Sequence, residues 1–260
     1  MEKDPEKRKK RRMLWLVIPL LIAALLLAAS AVYLGDYYRA DAEAGSWPDG
    51  LRGEERRLDN GDLVFGTGDE AAGFIFYPGG KVEHAAYAPL MRELAAEGVF
   101  CVICEMPFRL AVLEPDAADG LQEQYPEVGR WYLGGHSLGG AMAASYLADH
   151  AEDYDGLVLL GAYSTADLSR SGVKVLSVFG SEDKVLNREA YERNRSRLPA
   201  ALRELVIEGG CHAGFGMYGP QSGDGTPTIS TAEQIRQTTA AILEWMDEPA
   251  ERAAARAEAP

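Results

Sequence analysis

Cysteine and histidine are scarce in this chain, with 3 of the former and 4 of the latter among 260 residues. So few thiols exclude a disulfide scaffold, and an odd count leaves at least one unpaired in an exported protein. Cys101 and Cys104 have the spacing of a CxxC motif. They lie, however, in Gly-Val-Phe-Cys-Val-Ile-Cys, a strand-like run in which residues three apart face opposite sides, so core packing is expected of them rather than redox chemistry. No second Cys/His cluster completes a zinc site. Positive charge is also short: 26 Lys and Arg stand against 40 Asp and Glu, a formal net charge of −14. Residues 1–12 hold seven basic and three acidic side chains, net +4, which leaves −18 for the rest. A domain of that charge repels DNA, RNA and anionic head groups, so nucleic acid is not an expected partner. A neutral or cationic small molecule is. There is no internal repeat, which sets aside solenoids and propellers.

Charge disappears altogether from residues 13–35, Met-Leu-Trp-Leu-Val-Ile-Pro-Leu-Leu-Ile-Ala-Ala-Leu-Leu-Leu-Ala-Ala-Ser-Ala-Val-Tyr-Leu-Gly. The run is long enough for a helix to cross about 30 Å of hydrocarbon. A signal peptide has a shorter apolar region and a small-residue cleavage site, which Ala29-Ser30-Ala31 would supply; the length favours an uncleaved anchor. The basic leader, 1–12, is expected to stay in the cytoplasm. Either way the remainder is exported, on the outer face of a cell membrane or secreted after cleavage. Residues 36–54, with Gly45, Pro48, Gly50 and Gly53 among acidic residues, read as a linker. The polar, Ala-rich tail 248–260 is expected to fray. Residues 55–247 remain for one domain with one core.

In that domain apolar runs alternate with helical stretches, the pattern of a mostly parallel sheet with helices on both faces. The runs are 73–77, 99–104, 131–134, 157–160, 173–179 and 205–207; the helical stretches are 84–97, 138–150, 186–197 and 231–246. Residues 56–65, turning at Asn60-Gly61, read as a leading antiparallel hairpin. Only Gly161 to Gly172 separate the fourth run from the fifth, which leaves no room for a helical lid and predicts an open cleft.

The run 131–134 leads into Gly135-His136-Ser137-Leu138-Gly139 and then a small-residue helix, the form of a nucleophile elbow. A serine at the tip of a strand needs strained backbone angles, and side chains two positions either side of it would strike the neighbouring strand or helix. The helix directs its free N–H groups at the site, so the Leu138 N–H is a candidate donor to an oxyanion. A serine hydroxyl also needs a base, and the base needs a carboxylate. Elimination among the histidines leaves His212. His136 diverges from the serine inside the elbow, His150 ends the following helix, and His84 begins another and could line the cleft. His212 lies in Gly209-Gly210-Cys211-His212-Ala213-Gly214, a loop able to swing a ring over the sheet edge. The carboxylate is expected at a strand end between serine and histidine. There Val178-Phe179-Gly180-Ser181-Glu182-Asp183 offers Asp183, with Glu182 and Asp167 as alternatives. A second oxyanion donor is sought in Tyr77-Pro78-Gly79-Gly80-Lys81, where the N–H of Gly80 is favoured and that of Lys81 follows. The loop 213–230 is read as structured, with Asp224 as a conceivable cation ligand.

The elbow and the order Ser137, Asp183, His212 resemble the α/β-hydrolase superfamily over residues 55–247. Tyr-Pro-Gly-Gly-Lys-Val, Glu-Met-Pro, Gly-Gly-His-Ser-Leu-Gly-Gly-Ala-Met-Ala and Tyr-Gly-Pro-Gln-Ser-Gly-Asp-Gly are similar to a compact, lidless bacterial α/β-hydrolase fold-5 type family. Pro78-Gly79 stands where the superfamily has His-Gly before its oxyanion residue. The resemblance implies an α/β-hydrolase fold and two-step acyl transfer on a carboxylic ester, with no metal or organic cofactor. Thioesterase, peptidase or haloperoxidase chemistry would use the same residues. A module that binds a ligand on this fold without catalysis is the alternative from another class.

Overall fold

The computed structural model of the chain describes residues 5–46 and 55–248. The chain divides into two units, residues 1–37 and 38–260. The first is a single helix, α1 (Pro5–Gly35), which contains Pro19. From Val17 to Gly35 it has a mean hydropathy of 2.5 and is long and apolar enough to cross a membrane, a test that a signal sequence also passes.

The second unit is built on eight strands: β1 (Glu55–Arg57), β2 (Leu63–Phe65), β3 (Ala72–Tyr77), β4 (Val99–Ile103), β5 (Arg130–His136), β6 (Gly156–Leu160), β7 (Lys174–Gly180) and β8 (Leu202–Ile207). Their spatial order is β1-β2-β4-β3-β5-β6-β7-β8. β1 and β2 form the hairpin expected around Asn60-Gly61, and β2 runs antiparallel to β4. All other pairs are parallel, from β4–β3 to β7–β8. Between strands lie α2 (Ala88–Ala96), α3 (Leu121–Gln124), α4 (Leu138–Asp149) and α5 (Arg188–Asn194), and α6 (Thr231–Asp247) follows β8.

Strand alternation sorts two cores. Phe74 and Phe76 face one side with Leu90, Met91 and Leu94 of α2 and Ile235, Ile242 and Trp245 of α6. Ile75 and Tyr77 face the other with Ala143, Ala144 and Leu147 of α4. Cys101 belongs to the first core and Cys104 to the second, so the two thiols lie on opposite faces of the sheet and both are fully buried. Burial pushes both pKa values well above the usual thiol value, which keeps them protonated.

Two expected helices are shorter than their amphipathic patterns. The stretch 84–97 starts as a 3-10 turn at His84–Tyr87 and becomes α-helical only at Ala88, beside Pro89 in the first turn. The stretch 186–197 is helical at Arg188–Asn194 and ends in a 3-10 turn. Residues 161–173, between β6 and β7, hold neither helix nor strand, so no lid is inserted there.

The expected linker 36–54 differs more. Residues 38–46 are packed on the domain. Tyr38 pairs in parallel with Val82, its N–H donating to the Lys81 carbonyl at 2.8 Å and its carbonyl accepting from Glu83 at 2.9 Å. Asp41 N–H donates to Met217 O at 2.8 Å, and Ala44 is buried. The domain therefore begins at Tyr38, ahead of the expected residue 55. Residues 47–54 of that linker, 1–4 of the leader and 249–260 of the tail lie outside the described residues.

Candidate active site

Between β5 and α4 the chain turns at Ser137, whose φ of 52° and ψ of −121° are strained for a residue with a side chain. The turn is held by Ser137 N–H donating to Leu160 O at 2.9 Å on β6. Its tightness explains the glycines. A Cβ on Gly135 would come within 2.6 Å of the Gly139 carbonyl carbon and of Tyr77 O, and one on Gly139 would overlap the backbone oxygens of Tyr77 and Pro78. The small residues are thus what lets β3, β5 and α4 meet at one point.

Asp183 follows β7 and His212 follows β8, so neighbouring strand ends bring them together. His212 Nδ1 lies 2.8 Å from Asp183 Oδ2, with side-chain exposures of 1% and 0%. The other oxygen, Oδ1, accepts the N–H groups of Val185 at 2.9 Å and Leu186 at 2.8 Å. A carboxylate held by three donors is fixed in place, and it fixes the ring in turn. Nδ1–H donates to it, which leaves Nε2 as the basic nitrogen; the tautomer is assigned from this bond. Nε2 is buried and without a partner among the described residues. No hydrogen bond joins it to Ser137, and such bonds commonly tighten only around a substrate. His212 and Ser137 line one cavity of about 280 Å³, with Ala141, Ala162, Tyr163 and Leu186 around them.

The alternative acids do not reach the ring. Asp167 accepts from the backbone and hydroxyl of Ser169, and Glu182 Oε1 accepts from Ser181 Oγ at 3.4 Å. The alternative histidines are engaged elsewhere too. His150 stacks on Tyr146 with ring centroids 4.0 Å apart, its Nδ1 against Tyr146 O. His84 lines a separate cavity of about 440 Å³ with Glu105, Phe108 and Arg109, and burial lowers its pKa. His136, expected simply to diverge from the serine, has a place of its own. Its ring packs on His212, centroids 4.4 Å apart, and its Nδ1 accepts a hydrogen bond from the Tyr87 hydroxyl at 2.8 Å, while Tyr87 Oη accepts from Gly79 N–H at 3.1 Å. Burial, with His212 adding, holds the His136 pKa well below the usual imidazole value, so a neutral ring packs against His212.

Of the two donors considered near Gly79, the structure separates one from the other. Lys81 N–H donates to Arg109 O at 2.8 Å and is not available to an oxyanion, which corrects the expectation of it as the donor next after Gly80. Gly80 N–H has no partner among the described residues. A Cβ on Gly80 would come within 3.0 Å of Leu138 Cδ2, so the two stretches adjoin. Leu138, at the first position of α4, keeps an N–H that the helix itself cannot satisfy.

One support was not singled out from the sequence. Gln234, fully buried in α6, accepts from Cys211 N–H at 3.0 Å and donates to Cys211 O at 2.8 Å, clamping the backbone beside His212. Its trace in the sequence is a polar residue on the apolar face of α6, alongside Ile235 and Thr238.

Comparisons with known proteins agree with this architecture. The Alpha/beta hydrolase family matches residues 73–236. No curated protein matches the chain. Among solved structures, a predicted CIB-like hydrolase from Thermoplasma acidophilum is similar with a TM-score of 0.55 at 17% identity, over 75% of this chain and 100% of that one. Est1E from Butyrivibrio proteoclasticus gives 0.51 at 14%, over 75% and 97%. Naproxen esterase from Bacillus subtilis gives 0.57 at 11%, over 79% and 95%. At these identities the likeness is one of fold.

Proposed function

This chain belongs to the alpha/beta hydrolase family, and from that premise we propose that it is a serine hydrolase that cleaves a carboxylic ester through an acyl-enzyme. The observation that carries the reading is the buried 2.8 Å bond between Asp183 and His212, in a chain whose His212 shares a cavity with a serine on a strained turn. A loop histidine with no chemical role has no need of a carboxylate buried to exclusion from water. A fold relative that is itself an esterase, the naproxen esterase, supports the ester class.

In the first step Ser137 Oγ attacks the carbonyl carbon while His212 Nε2 takes its proton, and the Asp183 carboxylate stabilises the imidazolium that forms. The oxyanion receives the N–H groups of Leu138 and Gly80. As the tetrahedral species collapses, His212 returns the proton to the leaving alcohol and the acyl group stays on Ser137. Water, deprotonated by the same nitrogen, repeats the sequence and frees the acid. All of these groups belong to the chain. The small cavity beside Ser137, walled by Ala141, Ala162 and Leu186, fits a short acyl group, in keeping with the open cleft.

We also place the domain outside the cytoplasmic membrane, held by α1 with the basic leader inside; the absence of charge over residues 13–35 supports an anchor. The domain's acidic character favours a neutral or cationic ester. The test is hydrolysis of p-nitrophenyl esters of graded acyl length, with thioester and anilide analogues alongside. Ester turnover that falls with chain length and vanishes in Ser137→Ala is expected. Wild-type turnover in that variant refutes the triad, and a preference for the thioester or anilide moves the substrate class. A reporter fused to the N-terminus that proved accessible to protease outside intact cells would refute the orientation.

A further inference from the structure

The segment from Tyr218 to Gly225 plays no part in the steps above, yet its acid does not behave as a solvated loop carboxylate. Asp224 Oδ2 accepts the N–H of Ala213 at 2.8 Å, and Oδ1 accepts the N–H groups of Lys184 at 3.3 Å and Gly225 at 2.8 Å. Ala213 directly follows His212, and Lys184 directly follows Asp183. One carboxylate therefore joins the two loops that carry the base and its acid. Burial works against ionisation, but the N–H groups of Ala213, Gly225, His212 and Lys184 outweigh it and hold the pKa below the usual carboxylate value. Both oxygens face N–H donors, which suits an anion held by backbone and not a ligand for a cation.

The neighbouring geometry shows where this tie falls. On the N-terminal side of the pair, Glu182 N–H donates to Gly210 O at 2.8 Å and Gly209 N–H donates to Ser181 Oγ at 2.8 Å. Those bonds fasten the loops before Asp183 and before His212. On the C-terminal side the tie is Asp224. The segment is seated closely: a Cβ on Gly225 would overlap the Glu182 carbonyl oxygen, and Thr228 N–H donates to Gly209 O at 2.9 Å. Its outer turn is held as well, by Ser222 N–H donating to Tyr38 Oη at 3.1 Å.

We propose that Asp224 is a positioning residue for acyl transfer, a strap that sets the Asp183 loop against the His212 loop and so keeps Nε2 at its place in the cavity with Ser137. The inference rests on the serine-hydrolase reading. The reaction is sensitive to this because the base must meet the serine proton within hydrogen-bond reach, and loss of one strap frees His212 along with the backbone that carries it.

The experiment compares Asp224→Ala and Asp224→Asn with wild type as full-length protein in detergent. It uses p-nitrophenyl acetate kinetics, the rate of inactivation by a fluorophosphonate and the thermal midpoint, with Ser137→Ala as control. In Asp224→Ala kcat should fall about 100-fold, the cost typical of small misplacements of reacting groups, with KM nearly unchanged. Fluorophosphonate inactivation should slow by a similar factor, since it reads the activation of the serine without a substrate acyl group. Asp224→Asn, which keeps one acceptor oxygen, should fold like wild type and lie between the two. Wild-type kcat and inactivation rate in folded Asp224→Asn, or a change confined to KM, would overturn the proposal even if Asp224→Ala failed to fold. A Ser137→Ala variant as active as wild type would overturn the hydrolase reading and this proposal together, whereas an inert Ser137→Ala beside unaffected Asp224 variants removes the strap alone.

Discussion

Asp183→Asn keeps the shape of the side chain and changes the one thing the site depends on, the direction of a single hydrogen bond. In the native site Oδ1 accepts two backbone N–H groups, from Val185 and Leu186, and Oδ2 accepts from His212 Nδ1. An amide has one acceptor oxygen and must place it. Turning it toward His212 would aim the NH2 group at the two buried N–H donors and leave them unpaired, at about 1–3 kcal/mol each. The oxygen therefore stays at Oδ1, and the NH2 group faces His212. Nδ1 must then accept, which moves the ring proton to Nε2, and a protonated Nε2 cannot take the proton of Ser137. The expected loss is about 10⁴-fold in kcat, the size typical of a wrong tautomer in such a triad. It corresponds to about 5 kcal/mol of barrier. Because every backbone donor around residue 183 keeps its acceptor, the thermal midpoint should move by no more than about 4 °C. Initial rates on p-nitrophenyl acetate, with thermal unfolding of the same preparations, make the comparison. A folded Asp183→Asn enzyme within about tenfold of wild type would refute the tautomer argument, since no route to an unprotonated Nε2 would then be needed.

Gly139→Ala tests the elbow through packing: its Cβ would overlap two backbone oxygens, of Tyr77 and Pro78, which no side-chain rotation relieves. The variant should lose about 3 kcal/mol or more in urea unfolding, and a loss under about 1 kcal/mol would contradict the tight approach of β3 to α4. Mild acid should destabilise the fold. Burial lowers the folded-state pKa of His136, with His212 adding to the effect, and burial likewise lowers that of His84. Both values lie below the unfolded value of about 6.5, so in mild acid the unfolded chain binds protons that the folded chain refuses. Their contribution to stability is present above about pH 6.5 and is lost as the pH falls through their folded values. The urea midpoint should accordingly be lower at about pH 5.5 than at about pH 7.5, and an equal or higher midpoint would contradict the neutral, buried state of the two rings.

What the sequence made legible was what short segments decide. The apolar runs at 73–77 and 157–160 fall within a residue of β3 and β6, because a strand buried on both faces carries its signature in consecutive residues. Gly135 and Gly139 marked the elbow for a steric reason that is local to one turn. His212 and Asp183 could be paired because the chemistry asks for a base and an acid at strand ends, and few histidines compete. What stayed hidden depends on partners far along the chain. Gly80 is favoured over Lys81 in their turn, but that the carbonyl of Arg109 takes the Lys81 N–H is not legible there. Tyr38 looks like linker until Val82 pairs with it, and Pro89 shortens a helix whose apolar spacing runs on before it. Gln234 and Asp224 act on the backbone of Cys211, Ala213 and Lys184, contacts that leave no periodicity to read.

The claim on which the rest depends is that Ser137 is an activated nucleophile. Incubation of the full-length protein with a fluorophosphonate at neutral pH, followed by mass analysis of the intact chain and of its peptides, tests that directly, because an ordinary serine hydroxyl does not react. One adduct per chain is expected, on the peptide containing Ser137, and none in Ser137→Ala. An unmodified wild-type chain, or an adduct that persists in Ser137→Ala, would contradict it.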